Sequence, residues 1–277
     1  MTKHWFITGI SRGLGLALAK AALARGYTVV GTVRSGAPPI EAGPGKLHVL
    51  TLDVTDGAAV AATVDEAFRL VGGRLDVVVN NAGYGLLGAL EDASDAEAER
   101  LFATDVFGPF KVIRAALPRL RTQGEARILN ITSIAGRAPG AASGLYAAAK
   151  YALEGLTAAL HHEVAPLGVK LTAVAPGAFR TDFLSAHSIR LSAPKAQGYD
   201  ATVGKASQAF SSMDGQQLGD PDRAAQALLR IVDAPDPPLH LLLGSDALRR
   251  ARGKLEAVEA EMTAWEALTV STDFPQA

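Results

Sequence analysis

Residues 8–15 read Thr8-Gly9-Ile10-Ser11-Arg12-Gly13-Leu14-Gly15, between a short apolar run that begins at Trp5 and an alanine-rich stretch that begins at Gly13. The apolar run is typical of a buried strand and the alanine-rich stretch of a helix. Glycines in such a turn let the backbone approach a pyrophosphate, and the helix N-terminus supplies amide donors. A glycine cluster alone is weak evidence in a chain with 28 glycines, and an ordinary turn is the alternative.

The rest of the chain alternates between strands and helices. Apolar and β-branched runs predict strands over 5–8, 27–33, 47–52, 75–79, 126–132, 169–175 and 239–243. Helices are predicted over 13–25, from 56 to about 71, from 95 to about 121 with a bend near Gly108-Pro109, over 145–164 and 220–232, and from 246 to about 265. Continuous apolar strands separated by helices indicate an α/β fold with a parallel sheet covered on both faces.

Length and composition limit the class of protein. The 277 residues suit one α/β domain over 1–277, and the 48% hydrophobic residues exclude disorder as the global state. Lys and Arg number 27 against 28 Asp and Glu, so there is no basic surplus to indicate a nucleic-acid partner. The absence of cysteine excludes disulfides and thiolate chemistry. With no long apolar run and no signal peptide, we expect no membrane span and a cytoplasmic location.

Segment 178–219 differs from the regular alternation. Its 42 residues scatter Phe, Leu, Tyr and Met among Ser, Gly and Lys. Irregular segments of this length in a compact domain are usually functional, and many are lids over an active site. We call residues 178–219 the lid segment and predict that Phe183, Leu184 and Phe210 in it contact the substrate.

A candidate for acid–base chemistry lies on the predicted helix over 145–164. Tyr146 and Lys150 are four residues apart, so both side chains lie on one helix face. A nearby ammonium lowers the pKa of a tyrosine, ordinarily about 10, and favours its use as a general acid near neutrality. Ser133 follows the predicted strand over 126–132, at the sheet edge where ligands bind, and can donate to a carbonyl oxygen. A structural role for a loop serine is the alternative.

Taken together, these motifs resemble the short-chain dehydrogenase/reductase family in its single-domain form. The matching residues, in the family's order and spacing, are Thr8-Gly9-xxx-Gly13-x-Gly15, Asp53-Val54, Asn80-Asn81-Ala82-Gly83, Ser133, Tyr146-xxx-Lys150 and Pro176-Gly177-xxx-Thr181. The resemblance spans residues 5 to about 245. It implies a doubly wound, three-layer Rossmann-type sheet of about seven strands, a nicotinamide cofactor, and assembly as a homodimer or homotetramer.

The resemblance also implies roles for individual residues. Tyr146 would donate or accept the proton, Lys150 would lower its pKa and hold the nicotinamide ribose, and Ser133 would position the carbonyl. Residues that would contact the cofactor are Gly9, Ser11, Arg12, Gly13, Leu14 and Gly15 at the phosphates, Asp53 and Val54 around the adenine, Asn81, Ala82 and Gly83 on the adenosine side, and Pro176, Gly177, Phe179 and Thr181 at the nicotinamide. Tyr84 would form the wall of the substrate pocket.

Two positions bear on the details of that chemistry. The second strand ends Thr32-Val33-Arg34, without the acid that accepts the ribose hydroxyls of NAD, so Arg34 and Arg12 predict NADP(H) through its 2′-phosphate. Asp105, in Asp105-Val106-Phe107-Gly108, stands where the family usually carries Asn as a fourth catalytic residue. Asp105 is either a tolerated replacement or a residue that shifts the pH dependence of proton transfer.

Three functions fit these motifs. The first is an NADP(H)-dependent carbonyl reductase or alcohol dehydrogenase acting on a fairly apolar small-molecule carbonyl or alcohol, and the long segment 178–219 resembles that of members acting on bulky apolar alcohols. A 3-oxoacyl-thioester reductase shares every motif and differs only in its pocket. A non-catalytic, dinucleotide-sensing protein would be expected to lack Tyr146, Lys150 or Ser133, and all three are present.

Two remaining patterns are expected to be structural. His161 and His162 are adjacent and point to different faces of their helix, so we predict no metal site. Leu255, Val258, Met262 and Trp265 recur at helical spacing, and we predict that they pack against the body of the protein.

Overall fold

The predicted alternation of strands and helices is present in the computed structural model, which describes residues 2–184, 188–193 and 196–274. In chain order the strands of this part are β1 His4–Ile7, β2 Thr28–Val33, β3 Lys46–Thr51, β4 Val77–Asn80, β5 Gly85–Leu87, β6 Ala126–Ile131, β7 Val169–Pro176, β8 Ile189–Leu191 and β9 His240–Leu243. The helices are α1 Gly13–Ala24, α2 Gly57–Leu70, α3 Asp95–Phe102, α4 Gly108–Gln123, α5 Gly144–Val164, α6 Lys205–Ser212, α7 Pro221–Asp233 and α8 Ser245–Val270.

Seven of these strands form one parallel sheet in the order β3-β2-β1-β4-β6-β7-β9. The strand order reverses beside β1, between β1 and β4, and their carboxyl ends are level, since Ile7 is opposite both Gly31 and Val79. Ligands of open parallel sheets bind at such a reversal, beyond the carboxyl ends of the strands. The predicted seven-stranded, Rossmann-type fold is confirmed.

Helices cover both faces of the sheet because successive side chains of a strand point to opposite faces. Trp5 and Ile7 of β1 are buried in the layer that contains α1 and α7. Phe6 of the same strand is buried in the opposite layer, which contains Phe68 of α2 and Val112 of α4. The continuous apolar sequence of β1 therefore serves two cores, as in other buried parallel strands.

The long helical segment over 95–121 is interrupted, as predicted, but one turn earlier than expected. A π-helical turn, Ala103–Phe107, separates α3 from α4, and Pro109 lies in the first turn of α4. The turn buries the side chain of Asp105, which is 1% exposed. π-Turns are frequent at functional sites, where they re-aim one side chain.

Segment 178–219 contains more regular structure than its sequence indicates. Residues 185–187 and 194–195 lie outside the described part of the chain. In the remainder, β8 pairs in parallel with β5, which follows β4 by five residues, and α6 occupies 205–212. Neither strand was predicted, because three residues are too few to show a periodic pattern.

The C-terminal helix α8 is longer than predicted and less covered. It continues to Val270, and only Ala247 and Ala251 in it are buried. The prediction that its apolar residues pack against the body is wrong. Leu255 is 69% exposed and Trp265 is 63% exposed. The body ends beside the first two turns of α8, and the helix extends beyond it.

Candidate active site

The glycine turn after β1 is joined to the loop after β4 by hydrogen bonds. The hydroxyl of Thr8 accepts the N–H groups of Asn81 and Ala82, both at 3.0 Å. The side-chain amide of Asn81 donates to the carbonyls of Thr8 and Gly9, at 3.0 and 2.8 Å. Gly9 has a φ of +73°, a conformation that favours glycine. These bonds hold together the loop that follows β1 and the loop that follows β4, at the point where the strand order reverses.

Gly15 has a different place from the one predicted. It does not line the cavity described below, and a Cβ atom at this position would lie 2.3 Å from both the Asn81 amide nitrogen and the Gly9 carbonyl oxygen. Any side chain would therefore push α1 away from the loop after β4. Gly15 serves the close packing of helix against loop, and the amides nearest the cavity belong to residues earlier in the turn.

A cavity of about 870 Å³ opens beyond the carboxyl ends of the strands. It brings together nearly all the residues predicted from the sequence. Those that line it are Gly9, Ser11, Arg12, Gly13, Leu14, Arg34, Asp53, Val54, Asn81, Ala82, Gly83, Tyr84, Ser133, Tyr146, Lys150, Pro176, Gly177, Phe179, Thr181, Phe183, Leu184 and Phe210. Gly15 and Asp105 are the two predicted residues that do not line it.

The half of the cavity beside β1, β2 and β3 carries the groups predicted to hold adenosine and phosphate. The Asp53 carboxylate accepts the N–H of Thr55 at 2.9 Å, and this bond lowers the pKa of Asp53. Arg12 and Arg34 both line this half, and neither forms an ion pair with a carboxylate in the described ranges. The charge of Arg34 also lowers the pKa of Asp53, but at a distance longer than an ion pair. Two guanidinium groups that form no ion pair in these ranges suit an anionic group of a ligand.

The other half of the cavity contains the residues predicted to act on the substrate. Tyr146 and Lys150 lie on one face of α5, and Ser133 follows β6, close enough to Tyr146 to lower the pKa of its phenol. The ammonium of Lys150 lies 5.6 Å from the centre of the Tyr146 ring and donates to the Ile131 carbonyl at 3.2 Å. Both side chains are more than nine-tenths buried. The phenol, the ammonium and the serine hydroxyl thus converge on one point of the cavity wall.

The sequence prediction for the pKa of Tyr146 is wrong in its net direction. Burial raises the pKa of the Tyr146 phenol above its ordinary value. The Lys150 ammonium lowers the pKa, as predicted, and Ser133 also lowers it, but neither outweighs burial and the nearby Asp105 carboxyl. In the free protein the phenol therefore holds its proton at neutral pH, as a proton donor must.

Asp105 lies behind the catalytic face and forms a buried ion pair with Lys150. One carboxylate oxygen is 3.1 Å from the Lys150 ammonium, and the other accepts the N–H of Tyr84 at 3.1 Å. Burial raises the pKa of the Asp105 carboxyl, although Lys150 opposes this effect. For Lys150, burial lowers the pKa, but the fields of Asp105 and Tyr146 outweigh it and the pKa rises.

We expect Asp105→Asn to remain folded and to keep at least about a tenth of the wild-type kcat, a loss of no more than ~1.4 kcal/mol. Asn can still accept from Tyr84, and Lys150 keeps the Ile131 carbonyl. Because the Asp105 carboxylate raises the pKa of Tyr146, its removal should move the pH profile of alcohol oxidation to lower pH. Steady-state rates from pH 6 to 10, with the exposed Asp95→Asn as control, measure both effects. A folded but inactive Asp105→Asn would contradict the expectation.

The predicted substrate residues lie around Tyr146. The ring centre of Phe183 is 6.1 Å from that of Tyr146, and the guanidinium of Arg190 lies 4.8 Å over the ring of Tyr84. Leu184 and Phe210 line the same side of the cavity. This wall is mainly apolar, with positive charge at its outer edge.

Sequence reasoning missed several lining residues: Arg100, Arg190, Met213, Gln217 and Arg249. Gln217 is the most informative, since it is 2% exposed and its side-chain amide has no hydrogen-bond partner in the part of the chain described. A buried amide of this kind is costly unless a ligand or water satisfies it. No sequence signal marks it, because glutamine in an irregular segment is ordinarily exposed.

Comparison with known proteins agrees with this geometry. The profile of the short chain dehydrogenase family matches residues 3–190. The chain belongs to the short-chain dehydrogenase/reductase family. This short-chain dehydrogenase is 36% identical to "Oxidoreductase BOA17" of Botryotinia fuckeliana over 98% of its own length and 100% of that protein. It is 32% identical to a 3-ketodihydrosphingosine reductase of Bacteroides thetaiotaomicron over 86% of each chain.

Comparison with solved structures also places this chain among the short-chain dehydrogenases. The crystal structure of a short-chain dehydrogenase from Streptomyces avermitilis is 39% identical, with a TM-score of 0.90 over 99% of this chain and 100% of that one. Structural neighbours at 27% identity hold NADP or NADPH, one at 25% holds 5-hydroxy-NADP, and those of lower identity hold NAD, NADH or NADP. The chain is therefore an oxidoreductase whose structural neighbours use nicotinamide dinucleotides.

Two further properties of this short-chain dehydrogenase concern membranes and metals. Across the described residues, none of the helices combines the length and apolar character needed to span a bilayer. Within the same ranges, no three His, Asp or Glu side chains come together as metal ligands.

Proposed function

We propose that the protein interconverts a carbonyl compound and its alcohol with NADP(H) as cofactor. The observation that carries this proposal is the convergence of Tyr146, Lys150 and Ser133 on one wall of the cavity. A proton donor, a cation beside it and a hydroxyl are the groups that carbonyl reduction requires from the protein. A cofactor-sensing protein would have no use for this arrangement.

The residues at the strand-order reversal fit a dinucleotide. The turn of residues 9–14 presents backbone amides and the N-terminus of α1 to the cavity, which suits a pyrophosphate. Asp53 is held as a carboxylate beside the predicted adenine position, and Thr181 and Phe179 line the far half. When bound, NADPH supplies the hydride that reduces the carbonyl carbon.

The chain's own residues supply the proton and hold the substrate. The carbonyl oxygen accepts hydrogen bonds from the Ser133 hydroxyl and the Tyr146 phenol, and these strengthen as negative charge develops on it. Tyr146 transfers its proton to that oxygen, and the Lys150 ammonium stabilises the phenolate that remains. Asp105 keeps Lys150 charged and fixed in position. In alcohol oxidation the same phenolate accepts the proton.

The preference for NADP(H) over NAD(H) rests on Arg12 and Arg34. Both line the adenosine half of the cavity, and no acidic side chain follows β2 to accept ribose hydroxyls. The 2′-phosphate would give these two guanidinium groups a charge-assisted partner.

The substrate is proposed to be a fairly apolar small-molecule carbonyl or alcohol. Phe183, Leu184 and Phe210 provide apolar surface next to Tyr146, and the buried Gln217 amide offers one hydrogen-bonding group. The relative from Bacteroides thetaiotaomicron is named a 3-ketodihydrosphingosine reductase. We further propose that the protein acts as a single domain over 1–277, in the cytoplasm, as a homodimer or homotetramer.

The experiment that tests this function follows NADPH consumption with a panel of ketones, aldehydes, quinones and acyl thioesters. The proposal requires turnover with apolar ketones or aldehydes. Turnover restricted to 3-oxoacyl thioesters would favour the alternative reductase. Binding of NADPH with no turnover of any member would favour the cofactor-sensing alternative.

We expect the lid segment to exchange amide hydrogens faster than α5 in the free protein and to slow when NADP⁺ and an inhibitory alcohol bind. The reason is that α6 and the preceding turn over 200–204 contain no buried residue, so few contacts hold them closed. Hydrogen exchange followed by mass spectrometry resolves peptides from 178–184 and 196–219. Strong protection of both peptides in the free protein would contradict a closing lid.

A further inference from the structure

The part of α8 beyond Ala251 is a helix whose large apolar side chains are mostly exposed, with Val258 half-buried, in the structure of residues 2–184, 188–193 and 196–274. Residues 252–270 extend for ~28 Å at a rise of about 1.5 Å per residue. Leu255, Met262, Trp265 and Leu268 are each more than half exposed. Most of the stability of a helix in a protein comes from packing of its apolar face, so a surface that covers this face would stabilise the segment.

The apolar residues of α8 follow a heptad pattern. Leu248, Ala251, Leu255, Val258, Met262 and Trp265 are spaced alternately by three and four residues, whereas Leu268 and Val270 lie outside this spacing. This is the a/d pattern of a coiled-coil seam, in which side chains of one helix insert between those of another. Leu248 is 42% exposed and Ala251 is buried beside Ile134 and Ala138, so the seam is accessible at Leu248 and from Leu255 onward.

The charges of α8 are divided along its length. The first half carries Arg249, Arg250, Arg252 and Lys254, and residues 247–255 contain no acid. The second half carries Glu256, Glu259, Glu261 and Glu266, and residues 256–270 contain no Lys, Arg or His. Two copies of this helix side by side attract each other when they run antiparallel, because each basic half then faces an acidic half.

We propose that α8 pairs with α8 of a second copy of this chain as an antiparallel two-helix coiled coil. The a/d layers then place Leu255 against Val258 of the partner subunit and Leu248 against Trp265 of the partner subunit. In the same register Arg252 faces Glu259 of the partner subunit, and Lys254 faces Glu261 of the partner subunit. The two-fold axis repeats both ion pairs, so four oppositely charged pairs flank the seam.

The charges of α8 favour this antiparallel register over a parallel pair, a shifted antiparallel pair and a lipid surface. A parallel pair would join Lys254 to Glu259 of the partner subunit, but it would also place Glu261 against Glu266 of the partner subunit. An antiparallel pair shifted by one heptad would bring Glu259 against Glu259 of the partner subunit. A lipid surface would have to accept the apolar side chains of residues 256–270 together with their four glutamates, which anionic headgroups disfavour.

Disulfide cross-linking tests the pairing directly, because the chain contains no cysteine. Leu255→Cys and Val258→Cys are made as separate variants with different affinity tags, mixed under reducing conditions and then oxidised. We expect a cross-link between the two variants and little within either alone, since antiparallel layers pair position a with position d. No cross-link in the mixture, or cross-links only within each variant, would overturn the proposal.

Charge reversal supplies a second readout that does not depend on cysteine. Lys254→Glu should raise the dimer dissociation constant of α8-mediated pairing by at least about tenfold, because two attractive pairs become repulsive. Glu261→Lys in the same chain should restore both the affinity and the cross-link. Circular dichroism confirms that each variant is folded, and flotation with phosphatidylcholine–phosphatidylserine vesicles tests the lipid alternative. Failure of the double variant to restore the affinity, or vesicle binding without dimer formation, would overturn the proposal.

Discussion

Replacing Tyr146 by Phe is expected to lower kcat for carbonyl reduction by roughly 10²–10⁴, the ordinary cost of losing a general acid. The substitution removes only the hydroxyl. The ring keeps its contact with Phe183, and Lys150 keeps its ion pair with Asp105 and its bond to the Ile131 carbonyl. The phosphate-binding turn of residues 9–14 is unaffected, so NADPH should bind with nearly unchanged affinity.

The measurement combines steady-state reduction of the best ketone with fluorescence titration of NADPH. Tyr151→Phe is the matched control, because Tyr151 lies on the same helix, is 42% exposed and donates its hydroxyl to the Arg137 carbonyl away from the cavity. The control should keep near wild-type kcat. Near-normal reduction by Tyr146→Phe would remove this residue from the mechanism.

The preference for NADPH over NADH is expected to reach roughly 10²-fold or more in kcat/KM, equivalent to about 3 kcal/mol of charge-assisted hydrogen bonds. Arg12 and Arg34 have no ion-pair partner in the described stretches of the protein, so the 2′-phosphate does not have to displace one. Replacing either by Ala should reduce kcat/KM for NADPH and leave that for NADH nearly unchanged.

The matched control for cofactor choice is Arg25→Ala. Arg25 follows α1 at its far end and pairs with Asp233 at 2.9 Å, away from the cavity. The Arg25→Ala substitution should leave kcat/KM unchanged for both NADPH and NADH. Equal kcat/KM with the two cofactors in the wild-type protein would refute the preference.

The parts of the site that follow from local sequence were predictable. Tyr146 and Lys150 share a face because they are four residues apart on a helix, and Ser133 meets them because it ends a parallel strand. Residues 9–14 lie at the cavity because a glycine turn joins a central strand to its helix. Gly15 was misplaced because its role depends on the close approach of Asn81, which comes from another part of the chain.

Properties that depend on burial were not predictable from the sequence. The net pKa of Tyr146 rises because the surrounding protein removes water, and this effect exceeds that of the lysine one helical turn away. Gln217 is buried by tertiary packing of an irregular segment. The apolar residues of α8 have the same periodicity whether they face the body or another molecule, so the pattern alone did not show that they are exposed.

The small sheet of β5 and β8 has a consequence for how this protein can evolve. The N–H of Gly85 donates to the Ser188 carbonyl at 2.8 Å, the N–H of Ser192 donates to the Leu87 carbonyl at 2.9 Å, and the N–H of Tyr84 donates to Asp105. The hydrogen bonds that join the lid segment to β5, the strand next to Tyr84, are thus made by main-chain atoms. Side chains of the lid can diversify toward new substrates while these bonds, and the catalytic apparatus behind them, are inherited unchanged.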